Sequence, residues 1–383
     1  MGGRRGGPVT PERIVVAGSL AQRACRGGHT WVFLQYLLGF RRLGFDVLFL
    51  DWMTPEMGPG AQASRYSRAV MERFGLQDHY CLMDAEGEAI AGINRRHAIE
   101  RTTASLLLIN INGFLADPEL LGAAPRRVYL DIDPGFGQMW REQGLHDAFA
   151  GHEIFVTIAE KIGRPGCRIP TCGLEWVTTR QPVVLDQWPS RPGQGSAFTS
   201  IGAWRGPFAP IEFDGTSFGL RVHEFRKFAE LPKLTRQKFE IALEIHDTEV
   251  GDRELLRHGG WRLLDPLAVA GSPDDYRDFI GRARAELMVA KGMYVETRGG
   301  WFSDRSACYL ASGRPVIAQD TGLAGLYPLG DGLLAFHTLE EATAAVESVS
   351  ADYSRHARAA REIAEAEFGS DRVLTALLER IAS

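Results

Sequence analysis

The sequence predicts an α/β protein of two Rossmann-like, doubly wound domains facing a central cleft. Three observations carry this prediction. The chain opens on a strand, helix, strand pattern; a stretch rich in Pro, Gly, Ser and Gln interrupts it near the middle; and a second run of alternating strands and helices follows. At 383 residues, two domains of ordinary size can each bury a core.

Residues 13–17 form a short apolar strand, and Gly27, Gly28 and His29 follow in a polar loop. An amphipathic helix over 30–43 ends at Gly44, and 46–50 is the next strand. Further buried strands are read at 106–111, 127–132 and 153–158. After the linker-like stretch 181–196, strand 197–203 ends in Trp204-Arg205-Gly206. Helix 222–229, strand 238–245, helix 252–258, strand 261–264 and amphipathic helix 273–285 complete the alternation, and 356–382 is helical by periodicity. The expected organisation is a disordered leader at 1–12, domains at 13–182 and 197–355 joined by a linker at 183–196, and a terminal helix at 356–383. In doubly wound sheets ligands sit beyond the carboxyl ends of the strands, which directs attention to Gly27, Gly28, His29, Asn110, Asn112, Asp131, Asp133 and Glu160.

Composition narrows the class. A hydrophobic share of 45% and a charged share of 24% are those of a globular protein in water, and no apolar run approaches the ~18 residues of a membrane span. A net charge of -5 argues against a nucleic-acid partner, which requires a basic face. Cysteines at 25, 81, 167, 172 and 308 are odd in number and lack zinc or redox spacing, so they are read as reduced thiols of a cytoplasmic protein. The basic N terminus has no apolar segment after it and is not a signal peptide.

The densest chemistry lies between Lys291 and Gly322, which reads as strand, glycine loop, short helix, strand. Gly299 and Gly300 permit close approach of the backbone to a ligand, and Ser303 caps a helix whose first N–H groups point into the loop. Such a helix start is an anion site. The helix continues through 306–312, Gly313 stops it, Pro315 prevents its resumption, and 316–318 begins a buried strand.

With Ala311-Ser312-Gly313-Arg314-Pro315-Val316, this stretch resembles the nucleotide-sugar-binding half of GT-B glycosyltransferases (group 1, family 4-like), which carry a glycine loop, a helix and Ala-x-Gly-x-Pro-Val before a strand. The resemblance is strongest over 292–346, including Gly332-Leu333-Leu334 and the alanine-rich helix after Thr338, and weaker along most of the chain. Within the superfamily the chain looks nearest to an uncharacterised group marked by Gly-Trp-Phe-Ser-Asp-Arg-Ser. It departs from the retaining members where they place two glutamates: Gly300 and Cys308 stand there, while Glu296 and Asp304 keep the spacing four residues early. Retention or inversion stays open.

The resemblance implies that Gly299, Gly300, Ser303 and Ser306 offer the loop and helix start to a donor diphosphate. Arg205, placed where retaining relatives have a diphosphate-binding arginine, and Lys291 and Arg305 are its candidate cations. Of Trp301 and Phe302, one flanks the donor and the other seals a core; Asp304 touches ribose hydroxyls or favours the positive helix end. Asp133 or His29 takes the acceptor proton, with Gly27, Gly28, Asp131 and Glu160 lining the acceptor side. The pair Asp131-x-Asp133 only imitates the metal-binding motif of another glycosyltransferase class, so neither metal nor cofactor is expected and the nucleotide-sugar is a substrate. The expected activity is metal-independent transfer of a hexosyl or deoxysugar unit to a hydroxyl of a small molecule or glycan held mainly by the N-terminal domain. The alternatives are a nucleotide-sugar 2-epimerase and a catalytically inactive binding or scaffold protein.

Overall fold

In the computed structural model, which describes residues 11–54, 61–190, 193, 195–206 and 208–382, the chain builds two parallel sheets. Residues 1–10 of the expected leader lie outside the described residues.

The first sheet contains β1 (Arg13–Gly18), β2 (Asp46–Trp52), β3 (Tyr80–Met83), β4 (Ala89–Gly92), β5 (Leu107–Ile111), β6 (Arg127–Asp131), β7 (Ile154–Thr157) and β8 (Trp176–Thr178). Its order is β4-β3-β2-β1-β5-β6-β7-β8. Val15 of β1 pairs in parallel with Leu48 of β2 and Leu108 of β5, so the chain winds in both directions from β1. The edge strand β4 runs antiparallel to β3. Continuous apolar runs such as 14–17 and 47–50 suit strands buried on both faces, and these residues are fully buried.

The second sheet contains β9 (Phe198–Ala203), β12 (Phe239–Glu244), β13 (Trp261–Leu264), β14 (Ala285–Met288), β15 (Val316–Gln319) and β16 (Leu333–Phe336), in the order β13-β12-β9-β14-β15-β16. Between β9 and the helix Arg221–Phe225 stands a hairpin of β10 (Ile211–Phe213) and β11 (Thr216–Phe218). Asp214 and Gly215 form its two-residue turn, both at positive φ (48° and 68°), as a tight hairpin requires. Phe198, Phe225, Phe239 and Trp261 centre the core of this sheet, their ring centroids 5.0–5.4 Å apart along the chain of contacts.

The molecule divides into two compact units that cut across these sheets. One holds the chain up to Ala24, Tyr36–Leu130 and Gly151–Ile154; the other holds Cys25–Gln35, Asp131–Ala150 and everything from Phe155 onward. Within the second unit, Arg380 of the last helix donates to the Thr178 carbonyl of β8 at 2.7 Å. Among the described residues no helix is long and apolar enough to cross a membrane.

Three expectations about local structure need correction. The helix expected over 273–285 is Pro273–Arg282, and the strand before the glycine loop is β14 rather than a stretch starting at Lys291. Ala283 turns to an extended ψ of 152°, which frees the four buried residues of β14 for the sheet. Residues Gly292–Thr297 form a helix, because Met293, Tyr294 and Thr297 share one buried helical face. Gly27 and Gly28 lie in the first turn of helix Gly27–Arg42, not in a loop.

Candidate functional site

The site lies within the second unit, where the carboxyl ends of β9 and β14 meet the turn after β6. Asp131 closes β6, 3% exposed, and accepts hydrogen bonds from Gln138 Nε2 (2.6 Å), Thr157 Oγ1 (3.0 Å) and the Asp133 N–H (3.1 Å). Burial pushes its carboxyl up to about 7 against the opposing pull of these donors. Asp131 is therefore committed to shaping the turn, and the turn presents Asp133 instead. Gly135, at a φ of 107°, packs so closely that an added methyl would stand 2.6 Å from Met293 Sδ.

Asp133 receives Lys291 on both carboxylate oxygens, at 2.8 and 3.1 Å. The Lys291 ammonium also sits 5.1, 5.7 and 5.2 Å from the ring centroids of Phe136, Phe208 and Tyr294. Two residues far apart in sequence, both expected at the site, are thus brought into direct contact.

Beside them lie two arginines, Arg305 buried and Arg221 half-buried. Arg305 donates from Nε to Glu286 Oε1 and from Nη1 to the Ile201 carbonyl at 2.8 Å. Burial works against its charge, but Glu286 overrides this and holds Arg305 above its ordinary pKa. It is 8% exposed and spends Nε and Nη1 inside the fold, while its Nη2 is shielded from solvent without a hydrogen-bond partner. Arg221 donates to the same Ile201 carbonyl at 3.3 Å, and its Nε is shielded from solvent without a hydrogen-bond partner. Burial lowers its pKa to about 9, the neighbouring Arg305 adds to the effect, and Glu286, Asp133 and Asp304 oppose it. Glu286 is bonded to Arg305, which leaves Arg221 the under-compensated charge. An added methyl on Gly202 would overlap Arg221 Nη1, so this glycine makes room for the guanidinium.

Sequence reasoning missed Arg221. The available signal was its place at the first position of helix Arg221–Phe225, the helix end that disfavours a cation.

The helix after the glycine loop is Asp304–Ala311, with Ser303 as N-cap but no cap bond from its side chain. Ser306 is fully buried and its Oγ has no partner. Burial raises the Asp304 carboxyl, while Arg305 and the N–H groups of Arg305 and Asp304 pull it down. Asp304 therefore attends to its own helix start.

The glycines of the loop admit protein groups. A methyl on Gly299 would stand 2.5 Å from Ile169 Cδ1, and one on Gly300 2.5 Å from Leu326 Cδ1. The Gly299 carbonyl accepts from Lys161 N (3.0 Å) and Gly300 N donates to Thr321 O (2.8 Å). Phe302 stacks on Phe368 and tilts against Tyr327, each at 5.1 Å, and so seals a core. Trp301 stacks on Tyr294 at 3.9 Å and 19°, and its buried indole N–H has no partner.

Other expected residues stand elsewhere. Arg205, its side chain 47% exposed, is paired with Glu249. Glu160 accepts from Arg180 Nε (3.0 Å) and Tyr327 Oη (2.7 Å), part of a network that also joins Arg180 to Glu367. Methyl groups on Gly27 and Gly28 would strike the Ser272 carbonyl and the Tyr276 ring, so the glycine pair serves helix packing. His29 is half-buried, edge-on to Phe33 at 5.0 Å. Asn110 bonds both polar groups of the Leu115 backbone, and Asn112 turns the chain at a φ of 51°. Cys308, at the second glutamate position of the retaining enzymes, is 3% exposed and receives Gln35 Nε2 at 3.6 Å. Among the described residues no group of three or more His, Cys, Asp or Glu is placed to hold a metal ion.

Comparison with known proteins bears on the fold. Residues 231–379, which include Lys291 and the whole glycine loop, match the glycosyl transferase-like family. No curated protein matches the chain by sequence. Solved structures match nearly its full length: a glycosyltransferase from Rickettsia africae (10% identity, 97% of this chain and 98% of that one, TM-score 0.53) and HepE from Anabaena with UDP and glucose (11%, 97% and 99%, 0.59). TarM from S. aureus, as a variant in complex with Fondaparinux, alpha-GlcNAc-glycerol and UDP, matches at 9% identity over 97% and 100%, with a TM-score of 0.58. The chain thus has the two-domain fold of the GT-B glycosyltransferases, and its residues 231–379 are similar to the glycosyl transferase-like family.

Proposed function

We propose that this protein is a glycosyltransferase that takes a sugar from a nucleoside diphosphate and passes it to an acceptor hydroxyl without a metal. The carrying observation is the placement of two cations, Lys291 and the under-compensated Arg221, within electrostatic reach of Asp133 at the carboxyl ends of β9 and β14. A diphosphate leaving group gains negative charge as the sugar departs, and preorganised cations in a water-poor site stabilise that charge most. Arg221 has an unused donor for it, and the start of helix Asp304–Ala311 adds N–H groups.

In this reading the acceptor oxygen bonds to the anomeric carbon as the bond from that carbon to the phosphate oxygen breaks, its electron pair leaving with the diphosphate. Lys291 shifts from Asp133 toward the diphosphate when the donor binds, and the freed carboxylate takes the acceptor proton. Arg305 holds the end of β9 in place and does not touch the donor. The bound UDP of the HepE and TarM structures makes UDP the first nucleotide to try.

The test is a thermal-shift screen with UDP, GDP, dTDP and ADP and their common sugar conjugates. Ligand at about 100 times its Kd stabilises the folded state by about 2.7 kcal/mol, a readily measured rise in melting temperature. No rise with any nucleotide would remove the donor site; binding without turnover or hydrolysis of any donor would favour the inactive scaffold reading.

A further inference from the structure

From Asp133 outward runs a continuous line of aromatic rings that the transfer chemistry above does not use. Phe136, 2% exposed, is its inner end and lies under Lys291. Phe208 tilts against Phe136 at 4.7 Å, and Trp140 meets Phe208 edge-on at 5.1 Å and Phe136 at 5.9 Å. His146 closes the line against Trp140 at 6.5 Å, and Leu145 beside it is 70% exposed. Phe208 and Trp140 are only half-buried, so exposure rises along the line away from the carboxylate.

The line is held in place from both sides. Phe136 and Trp140 share one face of helix Phe136–Glu142, and Phe208 comes from the segment leading into the β10–β11 hairpin. Gln143 Nε2 ties that hairpin to the end of the helix through the Glu212 carbonyl (2.6 Å), and Arg168 ties it from elsewhere through Thr216 Oγ1 (2.6 Å). Two separate chain segments are therefore fastened together to present Trp140 and Phe208 as one surface. Core packing alone does not call for this, because the outer rings remain open to water.

We infer that Trp140 and Phe208 form the acceptor subsite, and that its occupant is a pyranose ring of a glycan; this rests on the glycosyltransferase reading. A pyranose has an apolar C–H face that covers an aromatic ring and a rim of hydroxyls that need polar partners. The platform offers both: rings for the face, and exposed Glu142, Gln143, His146 and Asp147 at the edge. A lipid chain would leave this polar rim without a role. A sugar seated on Trp140 and Phe208 lies next to Asp133, where its own or its neighbour's hydroxyl meets the base.

The experiment screens the full-length protein, with saturating UDP, against an array of linear gluco-, galacto-, manno- and N-acetylglucosamine oligosaccharides, and repeats it with Trp140→Ala, Phe208→Ala and Trp140→Phe. The expected result is retention of one saccharide class by the parent protein, weakened roughly tenfold or more by either alanine and restored by Trp140→Phe. The UDP-induced rise in melting temperature should be the same in the parent and both Trp140 variants, and the Phe208 variant, whose lost ring also faces Lys291, is shown to be folded by a cooperative melt without ligand. If UDP binds and no saccharide is retained, or if the alanine variants retain it unchanged, the glycan subsite is overturned while the donor site stands. If UDP does not bind either, both readings fall.

Discussion

Replacing Arg305 by alanine separates two roles that an arginine in this position can have. Its guanidinium is bonded to Glu286, which is fully buried, and to the Ile201 carbonyl. Removing the cation strands a buried carboxylate and leaves the Ile201 carbonyl with only the longer bond from Arg221. Breaking a buried pair from one side costs about 3–5 kcal/mol. For a domain of some two hundred residues, 1 kcal/mol moves the melting temperature by about 2–4 °C, so the variant should melt roughly 6–20 °C lower. Urea unfolding read by tryptophan fluorescence measures the loss directly, with an unchanged m-value showing that the same surface is exposed on unfolding. Because the penalty comes from the stranded partner, Arg305→Met combined with Glu286→Leu should recover much of it. At a temperature where Arg305→Ala remains folded, UDP should still bind. A variant with the parent's melting temperature and no UDP affinity would refute the reasoning, since it would place Arg305 on the donor instead of in the fold.

Four further outcomes are expected. Gly202→Ala should displace the Arg221 guanidinium that occupies its methyl position and weaken UDP binding roughly tenfold by calorimetry, with a smaller effect on melting. Gly27→Ala should destabilise by about 1–3 kcal/mol in urea unfolding, because the methyl meets the Ser272 backbone, which cannot move aside as a side chain would. Lys291→Met should lower UDP affinity while leaving Asp133 without its partner, and a loss of turnover with unchanged UDP affinity would remove Lys291 from the diphosphate. The fourth concerns pH. His356 is fully buried, its Nδ1 accepts the Gly332 N–H at 3.1 Å, and burial lowers its pKa from 6.5. The unfolded chain therefore binds a proton more readily than the folded one, so this stability is complete above about 6.5 and is lost as pH falls below it. The destabilisation caused by His356→Gln should accordingly be larger at pH 8 than at pH 5.

Much of the architecture was legible. Strands 13–17, 46–50 and 316–318 carry the uninterrupted apolar runs 14–17, 47–50 and 316–318, and a parallel strand buried on both faces leaves that signature wherever it occurs. The helix stop at Gly313 was equally plain, since that residue adopts a φ of 66°. Strand β14 was not, because Ala-Glu-Leu-Met follows a helix directly and four residues show no distinguishing period. The charged Glu286 within it reads as exposed until its partner Arg305 is seen across the fold.

The candidate site divides along the same line. The residue types were in view at Asp133, Lys291, Asp304 and Arg305, and so was the helix start that brings the last two together. Which of them face a ligand was not. Arg305 turns inward because Glu286 lies opposite it, Arg205 turns toward Glu249, and Arg221 enters the site because Gly202 leaves space for it. By itself the sequence determined the two doubly wound sheets and the stretch in which donor chemistry is sought, since hydrophobic period and turn residues act locally along the chain. Only the tertiary structure decided which charges are spent on one another and which remain under-compensated, because a charge is neutralised by whatever the fold places within a few ångströms, without regard to distance in sequence.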